Sequence, residues 1–154
     1  MFPHKHFVYG TIFALILILI VPEIGFVGFS LILLSTVLID VDHYIYYVVR
    51  KKDLSLINAY KWFLKNREKF FRLSCKEKLN LYSAWCFFHG IEILIILFIL
   101  TFCISEYFSF VFMGFAFHLI LDYIEQWNYC QEKHKIFIIY DFIKLRKLKH
   151  IEKI

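Results

Sequence analysis

The sequence predicts an all-α integral membrane fold, two helical hairpins making a four-helix bundle with a cytoplasmic amphipathic basic segment between them. Three observations predict it. The chain has 154 residues, 60% of them apolar, and a mean hydropathy of +0.63, which suits about four spans of roughly 20 residues better than a soluble domain. Its 19 Phe and 10 Tyr fit a lipid-facing or interfacial surface. Ionisable residues recur inside the apolar stretches, where each costs several kcal/mol unless it pairs or binds an ion.

The apolar stretches are residues 6–22, 25–47, 84–104 and 107–123. The first could pass for a signal-peptide core, but Pro22-Glu23 follows it and not a small-residue cleavage site, so a retained span is expected. Pro22-Glu23-Ile24-Gly25 breaks the first two stretches into a tight hairpin, and Ser105-Glu106 does the same for the last two. The first and last are short, as in helices that tilt or begin in the interface. Between the hairpins, residues 50–78 are basic and aromatic. Leu56, Tyr60, Phe63, Leu64 and Phe71 recur at near-helical spacing among Lys61, Lys65, Arg67, Lys69 and Arg72. That pattern suits an amphipathic helix on the membrane surface; the alternative is a solvated basic helix on the protein's own core. A second apolar run at 136–142 is too short to span and is followed by Lys144, Arg146, Lys147 and Lys149. Residues 1–130 are thus expected as a four-span membrane domain, including a cytoplasmic basic loop at 48–83, and 131–154 as a cytoplasmic basic tail.

Topology follows from charge. The net charge is +5, and the 18 Lys and Arg fall in three places: Lys5, residues 50–78, and residue 133 onward. Four spans put all three on one side and leave only Glu23 and Glu106 in the opposite turns. By the positive-inside tendency, both termini and the long loop are expected in the cytoplasm, with the chain in the inner cell membrane. Cys75, Cys86, Cys103 and Cys130 show no C-x-x-C spacing, and two lie in apolar stretches. They read as small hydrophobic fillers, with no disulfide framework expected.

The functional signal is a buried polar constellation. His118 and Asp122 are four residues apart, and His89 and Glu92 three apart, so each pair is expected on one helix face. Asp40 and His43 are also three apart, whereas Asp42 points elsewhere in an ideal helix unless the turn is distorted or a second ion lies beside the first. Counting back from the two turns at about 1.5 Å per residue sets His6, Asp40, His43, His89, Glu92, His118 and Asp122 within roughly two turns of the cytoplasmic boundary. Imidazole with carboxylate suits Zn²⁺, Mn²⁺ or Fe²⁺, and the lack of thiolates argues against a structural zinc knot. So many donors exceed one tetrahedral ion. Either two ions bind, or some members orient others and one acts as a general base. Against this stand plainer readings: an interhelical hydrogen bond for His89–Glu92, and a helix end for Asp42-His43. His4 reads as a surface residue beside Lys5, and His134 and His150 as residues of a solvated basic tail. Tyr44, Tyr46, Trp85 and Trp127 read as interfacial anchors.

These residues resemble a known family. His6-x-x-x-Gly10, Leu38-Ile39-Asp40-Val41-Asp42-His43, a histidine opening a later span (His89), and His118-Leu-Ile-Leu-Asp122 are similar to the motifs of the YdjM-like membrane-associated metal-dependent hydrolases, in the same order from residue 1 to about 125. The resemblance implies a multi-pass inner-membrane protein with metal-dependent hydrolase activity. Carried across, the metal ligands are His6, Asp40, Asp42, His43, His89, His118 and Asp122. Two departures stand out: Ile39 replaces the proline often found before the first aspartate, and Phe88-His89-Gly90-Ile91-Glu92 replaces a fuller T-H-S stretch.

The expected function is therefore a membrane-embedded hydrolase using one or two divalent ions at the cytoplasmic face. Asp42 and Glu92 are the carboxylates for the general base, with Asp42 favoured. Location and the basic loop, which attracts anionic lipid headgroups, point to a lipid or phosphoester substrate. The alternatives are a metal-ion or proton transporter, disfavoured because the outer helix halves hold almost no polar residues, and a non-enzymatic scaffold binding anionic lipid. No nucleic-acid reading motif is present, and oligomeric state is not encoded legibly.

Overall fold

In helix α1 (Pro3–Ile20) the buried residues are His6, Gly10 and Ala14, four apart, while apolar side chains such as Leu19 and Ile20 stand exposed. Helix α7 (Tyr107–Asn128) repeats the pattern with Gly114, His118 and Asp122. Small and polar residues inside with apolar ones outside is the reverse of a soluble helix, and suits a helix solvated by lipid. The computed structural model describes residues 3–78, 80–128 and 137–153; Cys130, Lys133, His134 and the start of the apolar run at 136–142 lie outside them.

The described chain is mostly helical. It divides into two units: Met1–Asp40 with Ile91–Glu125, and Val41–Gly90 with Gln126–Ile154. In the first unit, α1 runs through a short turn at Pro22–Ile24 into α2 (Gly25–Leu38), which packs back along it. Gly25 takes φ +59°, the left-handed conformation that lets the hairpin reverse. Helix α6 (Ile91–Cys103) and α7 complete this unit. Its core is Ala14, Ile24 and Ile32, flanked by Phe13, Leu17, Phe29, Phe110 and Met113.

Three stretches are long and apolar enough to cross a membrane: Pro3–Ile20, Pro22–Lys51 and Tyr107–Trp127. The helix expected over 84–104 forms only from Ile91, giving 13 residues. Residues 83–90 before it hold no regular structure. Within them the Phe88 N–H and the His89 ring donate to Asp42 and the Ser83 carbonyl accepts from His150, contacts that compete with helix formation.

The second unit holds α3 (Val41–Lys51), α4 (Leu56–Arg72), α5 (Cys75–Lys78) and α8 (Ile138–Leu145). Two short strands, β1 (Leu81–Tyr82) and β2 (Lys149–His150), pair in parallel, with Leu81 opposite Lys149 and Tyr82 opposite His150. Asp53 organises the α3–α4 turn by accepting from the Tyr47 hydroxyl, the Ser55 N–H and the Asn58 amide. Those bonds, Tyr47's first, hold its carboxyl below the ordinary 3.8. Ser55 caps α4 by accepting from the Asn58 N–H. Helix α4 buries Ala59, Asn66 and Phe70 and leaves Leu56, Ile57 and Tyr60 exposed. It therefore packs on its own unit along one face and still presents an apolar edge.

Two expectations fail here. The end of the chain is no solvated tail: His150 and Ile151 are buried, and Glu152 accepts from Arg50 Nε at 3.0 Å, Lys51 Nζ at 2.5 Å and Trp62 Nε1 at 2.5 Å. Cys75 is disulfide-bonded, against the reading of every cysteine as a filler, whereas Cys86 and Cys103 are thiols.

Candidate metal centres

The first group lies in the first unit and is built by close helix packing. A Cβ on Gly10 would stand 2.9 Å from Thr36 Cγ2; one on Gly114 would overlap Ser35 Oγ and stand 2.5 Å from the Ile32 carbonyl oxygen. Only glycine lets α1 and α7 approach α2 so closely. One turn away on each helix sits a histidine, His6 on α1 and His118 on α7, and the two rings stack with centroids 3.8 Å apart and planes 15° apart.

Stacking aims both Nε2 atoms at the same two carboxylates. His6 Nε2 lies 3.3 Å from Asp122 Oδ1 and 3.9 Å from Asp40 Oδ2. His118 Nε2 lies 3.6 Å from Asp40 Oδ1 and 3.7 Å from Asp122 Oδ2. Ligand bonds of about 2.0–2.1 Å in tetrahedral geometry imply ligand–ligand edges of about 3.3–3.4 Å. The shortest of the four distances, His6 Nε2 to Asp122 Oδ1 at 3.3 Å, matches such an edge; the four together use both oxygens of each carboxylate.

Tautomer and burial agree with a ligand role. The Nδ1–H of His118 donates to the Thr36 carbonyl at 2.7 Å, which leaves the lone pair of a neutral ring on Nε2. His6 is fully buried, and neither of its ring nitrogens makes a hydrogen bond among the described residues. A buried imidazole without that satisfaction costs stability unless something else engages it. These residues fit a divalent ion.

The second group lies in the second unit. Asp42 and His43 open α3, while Cys86 and His89 come from the loop at residues 83–90. Asp42 Oδ2 accepts from the Phe88 N–H and the His89 Nδ1–H, both at 2.9 Å. Cys86 Sγ is 3.2 Å from His43 Nδ1, and the rings of His43 and His89 meet edge to face at 5.1 Å. Phe63 of α4 packs edge-on against His43.

That loop is pinned from the far end of the chain. His150 Nε2–H donates to the Ser83 carbonyl at 2.8 Å, and its Nδ1 accepts from the Glu152 N–H at 3.1 Å. Both bonds require a neutral ring. Burial, helped by the nearby Arg50, pushes the His150 pKa below the ordinary 6.5.

So the expected constellation is described as two groups, one per unit. His6, His118 and Asp122 make the first, with Asp40 at 3.9 Å from His6 and 3.6 Å from His118; Asp42, His43 and His89 belong to the second, which also gains Cys86. His118 and Asp122 share a helix face, as their spacing indicates. His89 and Glu92 do not: His89 sits in a turn and Glu92 in the first turn of α6, part-buried and in neither group. Asp40 occupies the turn after α2 and joins the first group, while His43 joins the second. Expecting no thiolate missed Cys86, whose only signal was its position three residues before His89. Buried groups in both units could hold a metal ion. Comparison with known proteins returns no matching family model, curated protein or solved structure.

Proposed function

We propose that the protein is a multi-pass membrane hydrolase that uses a divalent ion held by His6, Asp40, His118 and Asp122, in keeping with its resemblance to the YdjM-like hydrolases. One observation carries this reading: two stacked, buried imidazoles face two carboxylates inside helices that are apolar on the outside. The two carboxylates balance the charge of a divalent ion, and the Thr36 carbonyl fixes the orientation of His118. Held by these four residues, Zn²⁺, Mn²⁺ or Fe²⁺ would supply Lewis acidity toward a phosphoryl or carbonyl oxygen and toward the attacking water. Glu92 takes the proton ahead of Asp42. It lies in the same unit as this group, and Asp42 Oδ2 is committed to His89 and Phe88.

Four crossings with the basic segments on one side suit the contacts within the second unit. Strand β2 pairs with β1, and Glu152 binds Arg50, Lys51 and Trp62. These contacts need an even number of crossings between residues 51 and 149. Because Tyr107–Trp127 is long enough to cross, α6 crosses with it, although at about 1.5 Å per residue it spans only about 20 Å and draws the bilayer thinner. The exposed apolar edge of α4, among its lysines, lies on anionic lipid. The positive-inside tendency makes that side cytoplasmic. The disulfide at Cys75 favours the opposite orientation, since disulfides persist in oxidising compartments. A reporter active only outside the cytoplasm, fused after Ile154, decides: silence supports the cytoplasmic assignment and strong signal reverses it.

The activity test uses vesicles containing a phosphatidic acid or a phosphodiester lipid, with the purified protein stripped and reloaded with Zn²⁺, Mn²⁺ or Fe²⁺. Metal-dependent product release, abolished in Asp122→Ala, is the expected result. Release that persists in the stripped protein, or none with any lipid phosphate or ester, contradicts the reading.

A further inference from the structure

We propose that Asp42, His43, Cys86 and His89 form a second, thiolate-bearing site that takes a zinc-class ion. The proposal extends the hydrolase reading by one ion and does not depend on turnover. One donor atom from each of the four residues lies within 4.8 Å of the others. Asp42, Cys86 and His89 are buried. Cys86 Sγ lies 3.5 Å from His43 Nε2. The sulfur also lies 3.2 Å from Nδ1, so it rests against the ring, and an ion between them needs that ring to turn until one nitrogen alone faces the sulfur.

Hydrogen bonding prepares the remaining donors. Asp42 Oδ2 holds the Nδ1–H of His89, which leaves the lone pair of that ring on Nε2. Asp42 Oδ1 is buried without a hydrogen-bond partner among the described residues. A carboxylate oxygen in that state costs free energy that a cation recovers. Thiolate, imidazole and carboxylate together carry the charge that a divalent ion neutralises.

The donor set also sets the preference. A thiolate ligand favours Zn²⁺ over Mn²⁺ or Mg²⁺, whereas the first group, with two imidazoles and two carboxylates, accepts harder ions. The two sites therefore sort metals between them.

The test uses full-length protein in detergent with Cys103→Ser, which leaves Cys86 as the thiol among the described residues. After stripping and reloading with Co²⁺, a thiolate-to-cobalt charge-transfer band is expected in this protein and in Asp122→Ala. Cys86→Ser is expected to lose the band and one bound ion per chain, and to bind Zn²⁺ more weakly by at least the roughly 10- to 100-fold that loss of an outer partner costs. Zn²⁺ should also protect Cys86 from alkylation, a measurement that needs no further variant and stands if Cys86→Ser does not fold. Unchanged stoichiometry and band in Cys86→Ser, or alkylation indifferent to Zn²⁺, overturns the proposal. Loss of an ion in Asp122→Ala reports on the first group alone, so the two readings fail separately.

Discussion

The two groups hold their histidines by different means. In the first unit, His118 is oriented by a backbone carbonyl, and its place is set by glycines that bring regular helices together. In the second, His89 is oriented by a carboxylate, and it rides on a loop pinned by the last residues of the chain. A carboxylate partner makes an imidazole more basic than a carbonyl does. The first design suits apolar helices, where backbone groups are already paired and rigid, and the second draws its precision from polar contacts among distant segments. Each should fail in its own way.

Breaking the helix packing should have the largest effect. Gly114→Ala puts a methyl into Ser35 Oγ and the Ile32 carbonyl, so α7 must shift and carry His118 with it. Metal analysis should show the first ion lost and the second kept; retention of both would mean that the glycine contact does not position the site. Glu92→Gln should keep metal while turnover falls roughly 100-fold, the scale of a lost general base. If Asp42→Asn alone produced that fall with metal retained, the base would be Asp42. Asp42→Asn is instead expected to weaken zinc binding in the second group by about 10- to 100-fold, because it disturbs the partner of His89 and removes a charge.

Subtler tests act on the pinned loop. Glu152→Gln should speed alkylation of Cys86 without affecting the first ion, since Glu152 ties the last strand to Arg50, Lys51 and Trp62. Acid should loosen the same contacts in two stages. His150 has a lowered pKa, so its contribution is complete above 6.5 and declines as pH falls from there. For Glu152, burial alone would raise the pKa, but bonds from Lys51, Trp62 and Arg50 outweigh it and bring it down from 4.5 to about 2. Its contribution is complete above 4.5 and lost as pH drops toward about 2. Trp62 fluorescence in a Trp85→Phe/Trp127→Phe background should follow both stages, and Glu152→Gln should remove the lower one.

Much of the first group was legible because helices convert spacing into position. His118 and Asp122, four apart in an apolar stretch, share a face as that spacing requires. Counting from the turn set His6 at the same depth but opposite His43, which belongs to the other group. The second group was only half legible. Asp42, His43 and His89 stood out as ionisable residues beside apolar runs, but no periodicity places a residue on an irregular loop, so Cys86 stayed hidden and residues 84–90 passed for helix. The buried C-terminal strand was illegible for a related reason. Its basic composition signals solvent, and only the partner residues Ser83, Arg50, Lys51 and Trp62, far away in sequence, reverse that signal.

The central claim is that the first group holds a metal ion, and metal content per chain tests it most directly. Purified wild type should carry an ion that Asp40→Ala/His118→Ala lacks, while the charge-transfer band of the second group persists to show that the variant is folded. Equal metal content in the two proteins would contradict the account.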